Sequence, residues 1–198
     1  MAPTAVEVRR FGRTERWLHW VHTGAFAVMF ATGAILYAPP LSRVFADRPV
    51  VKGVHLVVAV GWLVALVQVV LLGDRRELGR TRAEIERFDA DDLLFLRRRP
   101  SRPARFNGGQ KLHAIAHAAL LVLFFVSGAL LFLGERDHGL RLAGTLPLHD
   151  FATLVGGVLV MGHIGKALGA PGSLPGMTHG TVTRRYADEH HPRWEPDA

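Results

Sequence analysis

Residues 146–170 read LPLHDFATLVGGVLVMGHIGKALGA and combine a membrane-spanning composition with two histidines. His149 and His163 lie 14 residues apart. In an α-helix this spacing is nearly four turns, so both imidazoles leave the same face, separated by about 21 Å along the helix axis. A histidine inside a membrane is costly and indicates a functional site. Because the two histidines lie at two depths, this helix predicts partner residues at two depths on other helices.

Three more apolar runs accompany this one, and each is close to the roughly 20 residues that a helix needs to cross a bilayer. The sequence therefore predicts an all-α integral membrane protein, a four-transmembrane-helix bundle forming a single membrane domain over residues 1–198. The predicted helices are residues 17–37, 53–72, 112–133 and 146–168, with a cytoplasmic loop at 73–111 and a cytoplasmic tail at 171–198.

The chain carries a formal net charge of +7, and its basic residues are unevenly placed. With the N-terminus in the cytoplasm, 19 of the 24 Lys and Arg residues fall on the inner side. Cytoplasmic loops of membrane proteins are enriched in Lys and Arg. We therefore expect a multi-pass protein of the bacterial cytoplasmic (inner) membrane, in contact with lipid, with both termini cytoplasmic. Since topology accounts for the basic charge, we expect no nucleic-acid partner.

The chain contains no cysteine. This excludes disulfides, thiolate ligation of iron–sulfur clusters and haem attachment through a C-x-x-C-H motif. Histidine is then the main ligand available for iron or another transition metal.

Four histidines form two pairs when the helices are given alternating directions. His55 and His149 lie near the outer ends of their helices, whereas His19 and His163 lie near the inner ends. Two facing imidazoles suit the axial positions of a haem, whereas a metal ion usually takes more protein ligands. We therefore predict two b haems, with His55/His149 as iron ligands of the outer haem and His19/His163 as iron ligands of the inner haem. Glycines that open a slot for the haems are predicted at Gly33, Gly61, Gly128, Gly156, Gly157 and Gly162.

Other histidines compete for the inner positions. His22 is three residues from His19, on nearly the same helix face, and His113 and His117 begin the third predicted helix. We rank these three below His19 and His163, as residues that line the inner pocket or bond between helices, and their roles stay open.

Two polar segments also carry structural predictions. Residues 82–97 fit either an amphipathic helix on the membrane surface or a solvated connector that docks a partner. Residues 183–189 of the tail are predicted to form a short helix.

Motifs along nearly the whole chain resemble the cytochrome b (gamma) subunit of membrane-bound formate dehydrogenases, a di-haem, b561-like family of four-helix proteins. The matching residues are Glu15-Arg16-Trp17-Leu18-His19-Trp20, Val54-His55, Phe106-Asn107-Gly108-Gly109-Gln110-Lys111, His149 with His163, Gly172-Ser173-Leu174-Pro175-Gly176-Met177, Thr183-Arg184-Arg185-Tyr186-Ala187 and His190-His191-Pro192-Arg193-Trp194.

The resemblance implies the same haem pairing and a role in a respiratory formate dehydrogenase complex. In that role the chain takes electrons from an iron–sulfur beta subunit at the outer haem and passes them through the inner haem to menaquinone or another quinone. Formate oxidation itself belongs to the catalytic alpha subunit. The resemblance also implies a quinone pocket near His163, formed by Asn107, Gly109, Gln110 and Lys111.

Two alternatives remain from the residues alone. Within the same class, the chain would be the cytochrome b subunit of a hydrogenase or a thiosulfate reductase. In a different class, a haem-free membrane anchor or a metal transporter would also place histidines in apolar helices. The sequences of the neighbouring genes distinguish the first alternative, and a haem spectrum with a metal analysis distinguishes the second.

Overall fold

The computed structural model of the chain describes residues 6–38, 40, 41, 43 and 47–196, and most of these are helical. In chain order the elements are β1 (Glu7–Arg9), α1 (Arg13–Tyr37), α2 (Arg48–Leu72), α3 (Arg75–Glu86), α4 (Ala90–Leu96), α5 (Gly108–Gly134), α6 (Thr145–Leu168), α7 (Leu174–Thr178), β2 (Thr181–Thr183) and α8 (Arg184–His190), with short 3₁₀ turns at His138–Leu140 and Pro171–Ser173.

Among the described residues, four helices are long and apolar enough to cross a membrane: α1, α2, α5 and α6. They occupy the four predicted runs, but α1, α2 and α5 each begin four or five residues earlier than predicted. The additional turns carry Arg or Lys side chains. A polar turn can continue a helix beyond the hydrocarbon core of the bilayer, and hydropathy does not predict such a turn.

The chain divides into two compact units, and each of the four long helices contributes residues to both. Unit 1 comprises Met1–His19, Val69–Ala116 and Gly162–Ala198, and unit 2 comprises Trp20–Gln68 and His117–Met161. The pair His19 and His163 therefore falls in unit 1, whereas the pair His55 and His149 falls in unit 2.

In unit 1, strands β1 and β2 pair in antiparallel fashion, with Val8 opposite Val182. Val182 is almost completely buried. The turn before β2 needs glycine, because Gly180 has φ of 95° and a Cβ there would lie 2.7 Å from the carbonyl oxygen of Phe11. Since β1 precedes the first long helix and β2 follows the last, their pairing joins the segment before α1 to the segment after α6.

The polar segment between α2 and α5 forms two helices, so the single helix considered for residues 82–97 is wrong. Asp89 begins the second helix with a capping box: its side chain accepts from the Asp92 N–H at 3.0 Å, and the Asp92 side chain accepts from the Asp89 N–H at 3.1 Å. This reciprocal cap fixes a new helix start in the middle of the predicted one.

A buried ion pair ties this polar segment to the start of α1. Arg105 Nη2 lies 2.6 Å from Glu15 Oε1, and both side chains are largely buried. The Thr81 hydroxyl donates to the same carboxylate. In the tail, α8 begins one residue later than predicted, because Thr183 is its N-cap and accepts from the Tyr186 N–H at 3.2 Å.

Candidate functional site

In unit 2, His55 and His149 each bond a hydroxyl on the preceding long helix. Thr32 Oγ1 on α1 lies 2.7 Å from Nδ1 of His55 on α2. Ser127 Oγ on α5 lies 2.7 Å from Nδ1 of His149 on α6. The two predicted outer ligands are thus held in the same way, at the same ring nitrogen.

The remaining contacts of these hydroxyls determine the histidine tautomers. Each hydroxyl also lies close to the backbone carbonyl four residues earlier in its own helix, at 2.8 Å for Thr32 and 2.6 Å for Ser127. A hydroxyl has one hydrogen and a carbonyl only accepts, so each O–H donates to the carbonyl and each imidazole Nδ1–H donates to the hydroxyl oxygen. Neutral His55 and His149 therefore carry their lone pair on Nε2. Metal-ligating histidines typically have this arrangement, with the non-ligating N–H held by a second group.

A glycine follows each hydroxyl residue and borders the same imidazole. A Cβ at Gly33 would lie 3.7 Å from Cε1 of His55, and a Cβ at Gly128 would lie 3.7 Å from Cε1 of His149. Because Cε1 is bonded to Nε2, a side chain at either position would fill space beside the edge that carries the lone pair. Around Gly61 the described residues leave further open space. The donor set and these small residues fit a haem bound at Nε2 of both histidines.

Two of the predicted slot glycines have a different role. A Cβ at Gly156 would lie 3.3 Å from the Phe26 ring, and a Cβ at Gly157 would lie 2.6 Å from the Phe30 ring. The prediction that these glycines open a slot is therefore wrong, since they allow aromatic rings of α1 to pack closely against α6.

In unit 1, the ring centroids of His19 and His163 are 6.1 Å apart, with planes inclined by 60°. Two imidazoles on opposite sides of one metal have centroids roughly 6 Å apart, because each metal–nitrogen bond is about 2 Å long and each centroid lies about 1 Å further out. The observed separation fits a shared iron. Open space also remains next to Gly162 on the same helix.

His113 stacks on His163 in the same unit, with centroids 4.8 Å apart and planes inclined by 15°. Imidazole lone pairs lie in the ring plane, so the lone pairs of two stacked rings do not converge on one ion. This arrangement favours His19 over His113 as the partner of His163. His22 and His117 lie in unit 2, where their centroids are 5.8 Å apart and His22 also contacts Trp62.

The predicted quinone residues form the start of α5. The Gln110 N–H donates to Asn107 Oδ1 at 2.9 Å, and the Asn107 N–H donates to Gln110 Oε1 at 3.0 Å. This is a reciprocal helix cap, which the N-x-x-Q spacing signals and which the sequence interpretation missed. The cap uses the Asn107 oxygen, while its amide NH₂ is a separate donor group.

Lys111 is buried in an ion pair beside this cap. Its Nζ lies 2.5 Å from Asp92 Oδ2 and 2.8 Å from the Arg87 carbonyl oxygen. A Cβ at Gly108 would lie 2.4 Å from the Asp92 carbonyl oxygen, and one at Gly109 would lie 3.0 Å from the Phe95 ring. The glycines let α5 begin against α4, and Lys111 links the two helices.

His191, also in unit 1, has a structural role. His191 Nδ1–H donates to the Ala104 carbonyl oxygen at 2.7 Å, and Arg10 Nη2 donates to His191 Nε2 at 2.8 Å. Burial, together with the charge of Arg10, lowers the pKa of His191 to about 4. His191 is therefore neutral at physiological pH and holds the tail against Arg10.

Within the described part of the chain, no group of three or more His, Cys, Asp or Glu side chains is arranged to hold a metal ion. A six-coordinate haem uses two axial protein ligands, so it requires a pair of histidines and no larger group.

Comparisons with known proteins identify the family of the chain. A family model described as prokaryotic cytochrome b561 matches residues 10–180. The cytochrome b556(fdo) subunit of formate dehydrogenase from Escherichia coli (strain K12) is 37% identical over 93 residues, which are 46% of this chain and 44% of that protein. The formate dehydrogenase cytochrome b556 subunit of Haemophilus influenzae is 24% identical over 190 residues, covering 89% of this chain and 77% of that protein. In its match to the Escherichia coli subunit, the chain spans less than half of the relative's length.

Proposed function

The chain belongs to the prokaryotic cytochrome b561 family, and from this premise we propose that it is a di-haem cytochrome b subunit of a respiratory formate dehydrogenase. Membership makes it a multi-pass membrane protein of the haem b class. The similarity to formate dehydrogenase cytochrome b556 subunits supports the choice of complex.

The observation that carries the proposal is the grouping of four histidines into one pair in each unit. In unit 2, His55 and His149 bind one haem through Nε2, with each Nδ1 held by a hydroxyl. In unit 1, His19 and His163 bind the second haem across the 6.1 Å that separates their ring centroids. Each bound haem supplies a one-electron Fe(III)/Fe(II) couple.

The proposed quinone pocket lies beside His163. The Asn107 amide donates a hydrogen bond to a carbonyl of menaquinone or another quinone, and Gly109 forms part of the same turn. Gln110 and Lys111 hold this turn through the helix cap and the ion pair with Asp92. His113, stacked on His163, lines the same pocket.

The remaining components follow from the proposed complex. The chain receives electrons at the His55/His149 site from an iron–sulfur beta subunit, and a catalytic alpha subunit oxidises formate. It lies in the bacterial inner membrane with both termini in the cytoplasm, as its basic residues indicate.

Reduced-minus-oxidised spectra of the full chain, purified after haem-replete expression, test the proposal. We expect about two b haems per chain. His149→Ala should remove the haem of unit 2 and His163→Ala that of unit 1, whereas the exposed control His138→Ala should retain both. A menaquinone analogue should reoxidise the reduced wild-type chain but not the His163→Ala variant. A wild-type chain without haem, or full haem content in both alanine variants, would refute the proposal.

A further inference from the structure

We infer that Thr32 and Ser127 are positioning residues, which fix the tautomer and the donor strength of His55 and His149 as a matched pair of axial ligands. The inference rests on the proposed function, because it takes these two histidines to bind a haem. The haem assignment uses only the four histidines, so it gives no role to Thr32 or Ser127.

The two arrangements repeat each other in detail. Thr32 precedes His55 by 23 residues, and Ser127 precedes His149 by 22. Both hydroxyls sit 2.7 Å from Nδ1, and both donate to the carbonyl four residues earlier. In each case the next residue is a glycine that borders Cε1 of the same ring.

This repetition relates the helix pair α1 and α2 to the pair α5 and α6. In the sequence the repetition shows as the short runs Thr-Gly-Ala at 32–34 and Ser-Gly-Ala at 127–129. A single hydroxyl near a histidine is an ordinary packing contact. The same hydroxyl–glycine unit at both members of one predicted ligand pair indicates a requirement that the two ligands share.

Burial makes the two hydrogen bonds effective. Thr32 is 9% exposed and Ser127 is 2% exposed, so water cannot readily replace either hydroxyl. Because the acceptor is a neutral hydroxyl oxygen and not a carboxylate, it raises the basicity of each imidazole only moderately. It also restrains rotation of each ring and therefore its orientation at the iron.

The hydrogen bonds have a predictable electronic effect. A hydrogen bond from Nδ1–H increases the donation of Nε2 to the metal and favours Fe(III). Removing it should shift the reduction equilibrium of the haem of unit 2 toward Fe(II) by about threefold to tenfold per ligand. That range corresponds to a rise in midpoint potential of roughly 30–59 mV for a one-electron couple.

The experiment compares Thr32→Val and Ser127→Ala with the wild-type chain. The midpoint potential of each haem is measured by optical redox titration, and the g-values of the ferric haems by electron paramagnetic resonance. We expect the potential of the His55/His149 haem to rise in both variants and its g-values to change, while the second haem keeps both properties. Thr32→Ser restores a hydroxyl and should restore the wild-type values.

Thr153→Val is the matched control. Thr153 Oγ1 donates to the backbone carbonyl of His149 at 2.9 Å, so this variant removes the same kind of hydroxyl-to-backbone bond from the same unit without touching an imidazole N–H. We expect it to leave the potential unchanged. A shift as large as that of Thr32→Val would show a general packing effect and would overturn the inference.

The remaining outcomes separate this inference from the proposed function. Unchanged potentials and g-values in both variants, with two haems bound, would overturn the positioning role and leave the haem assignment intact. If Thr32→Val loses haem, recovery by Thr32→Ser supports the inference, and failure to recover overturns it. A wild-type chain that binds no haem would refute the proposed function itself.

Discussion

At the scale of single residues, Gly108 decides how closely the start of α5 approaches α4. A Cβ at this position would meet the Asp92 carbonyl oxygen at 2.4 Å and the Asp92 carbonyl carbon at 3.0 Å. Both are backbone atoms, so the clash is relieved only by moving a helix. We expect Gly108→Ala to lower the free energy of unfolding by about 1–3 kcal/mol, measured by thermal unfolding in detergent with circular dichroism.

Gly79→Ala is the control for this substitution. Gly79 lies within α3, and the described residues leave open space around its Cβ position. Alanine is favoured over glycine in a helix interior by up to about 1 kcal/mol, so this variant should be neutral or more stable. Equal destabilisation by both substitutions would contradict the steric role of Gly108.

The hydroxyls of Thr32 and Ser127 show what the sequence could not reveal at this scale. Histidine depth predicts which imidazoles pair, because depth follows from counting residues along a helix. The partner of a hydroxyl depends on rotamer and on interhelical packing, which the one-dimensional pattern does not contain. In the sequence, Thr32 and Ser127 stand out only as small residues within two apolar helices.

At the scale of elements, the tail is held to the rest of unit 1 by the neutral form of His191. Burial and Arg10 lower its pKa from 6.5 to about 4, so the unfolded tail binds a proton more readily than the docked tail. The docked tail has its full stability relative to the unfolded tail above about pH 6.5, and this stability declines as the pH falls toward 4. At pH 5 we expect a loss of about 2 kcal/mol, because one pKa unit corresponds to about 1.4 kcal/mol.

Hydrogen exchange of the tail, corrected for the intrinsic dependence of exchange on pH, measures this loss. Protection of α8 should decrease between pH 7 and pH 5 in the wild-type chain. His191→Gln should abolish the pH dependence, whereas His179→Gln, at an exposed histidine outside α8, should leave it unaltered. Constant protection of wild-type α8 over this pH range would contradict the docking role of His191.

The long helices were the most predictable elements, because about 20 apolar residues in sequence leave few alternatives to a membrane-spanning helix. Their polar first turns were missed, since the start of α5 depends on the cap between Asn107 and Gln110 and not on hydropathy. The break between α3 and α4 was missed for the same reason, as the Asp89 cap is a local hydrogen-bond pattern. Strands of three residues, such as β1 and β2, are too short to give a periodic signal.

At the scale of the whole molecule, the absence of cysteine from the sequence makes the topology directly testable. Single cysteines can be placed at two exposed positions, Ala143→Cys in the loop between α5 and α6 and Glu195→Cys in the tail. We expect a membrane-impermeant maleimide added to intact spheroplasts to label position 143 and to spare position 195 until the membrane is permeabilised.

The unmodified chain is the blank in this experiment, since it offers no thiol to the reagent. Labelling of position 195 from outside would reverse the orientation that the basic residues predict. Labelling of both positions from outside would contradict the crossing of the membrane by α6, which lies between them.

The pairing of β1 with β2 also constrains the order in which the protein can be completed during synthesis. Glu7–Arg9 leaves the ribosome well before its partner Thr181–Thr183, because all four long helices lie between the two strands. The second and last segment of unit 2 ends at Met161, so every residue of unit 2 is made before β2 is available to pair with β1. The ribosome must therefore make all four long helices and β2 before unit 1 can close, and a message that stops before codon 181 yields a first strand with no partner.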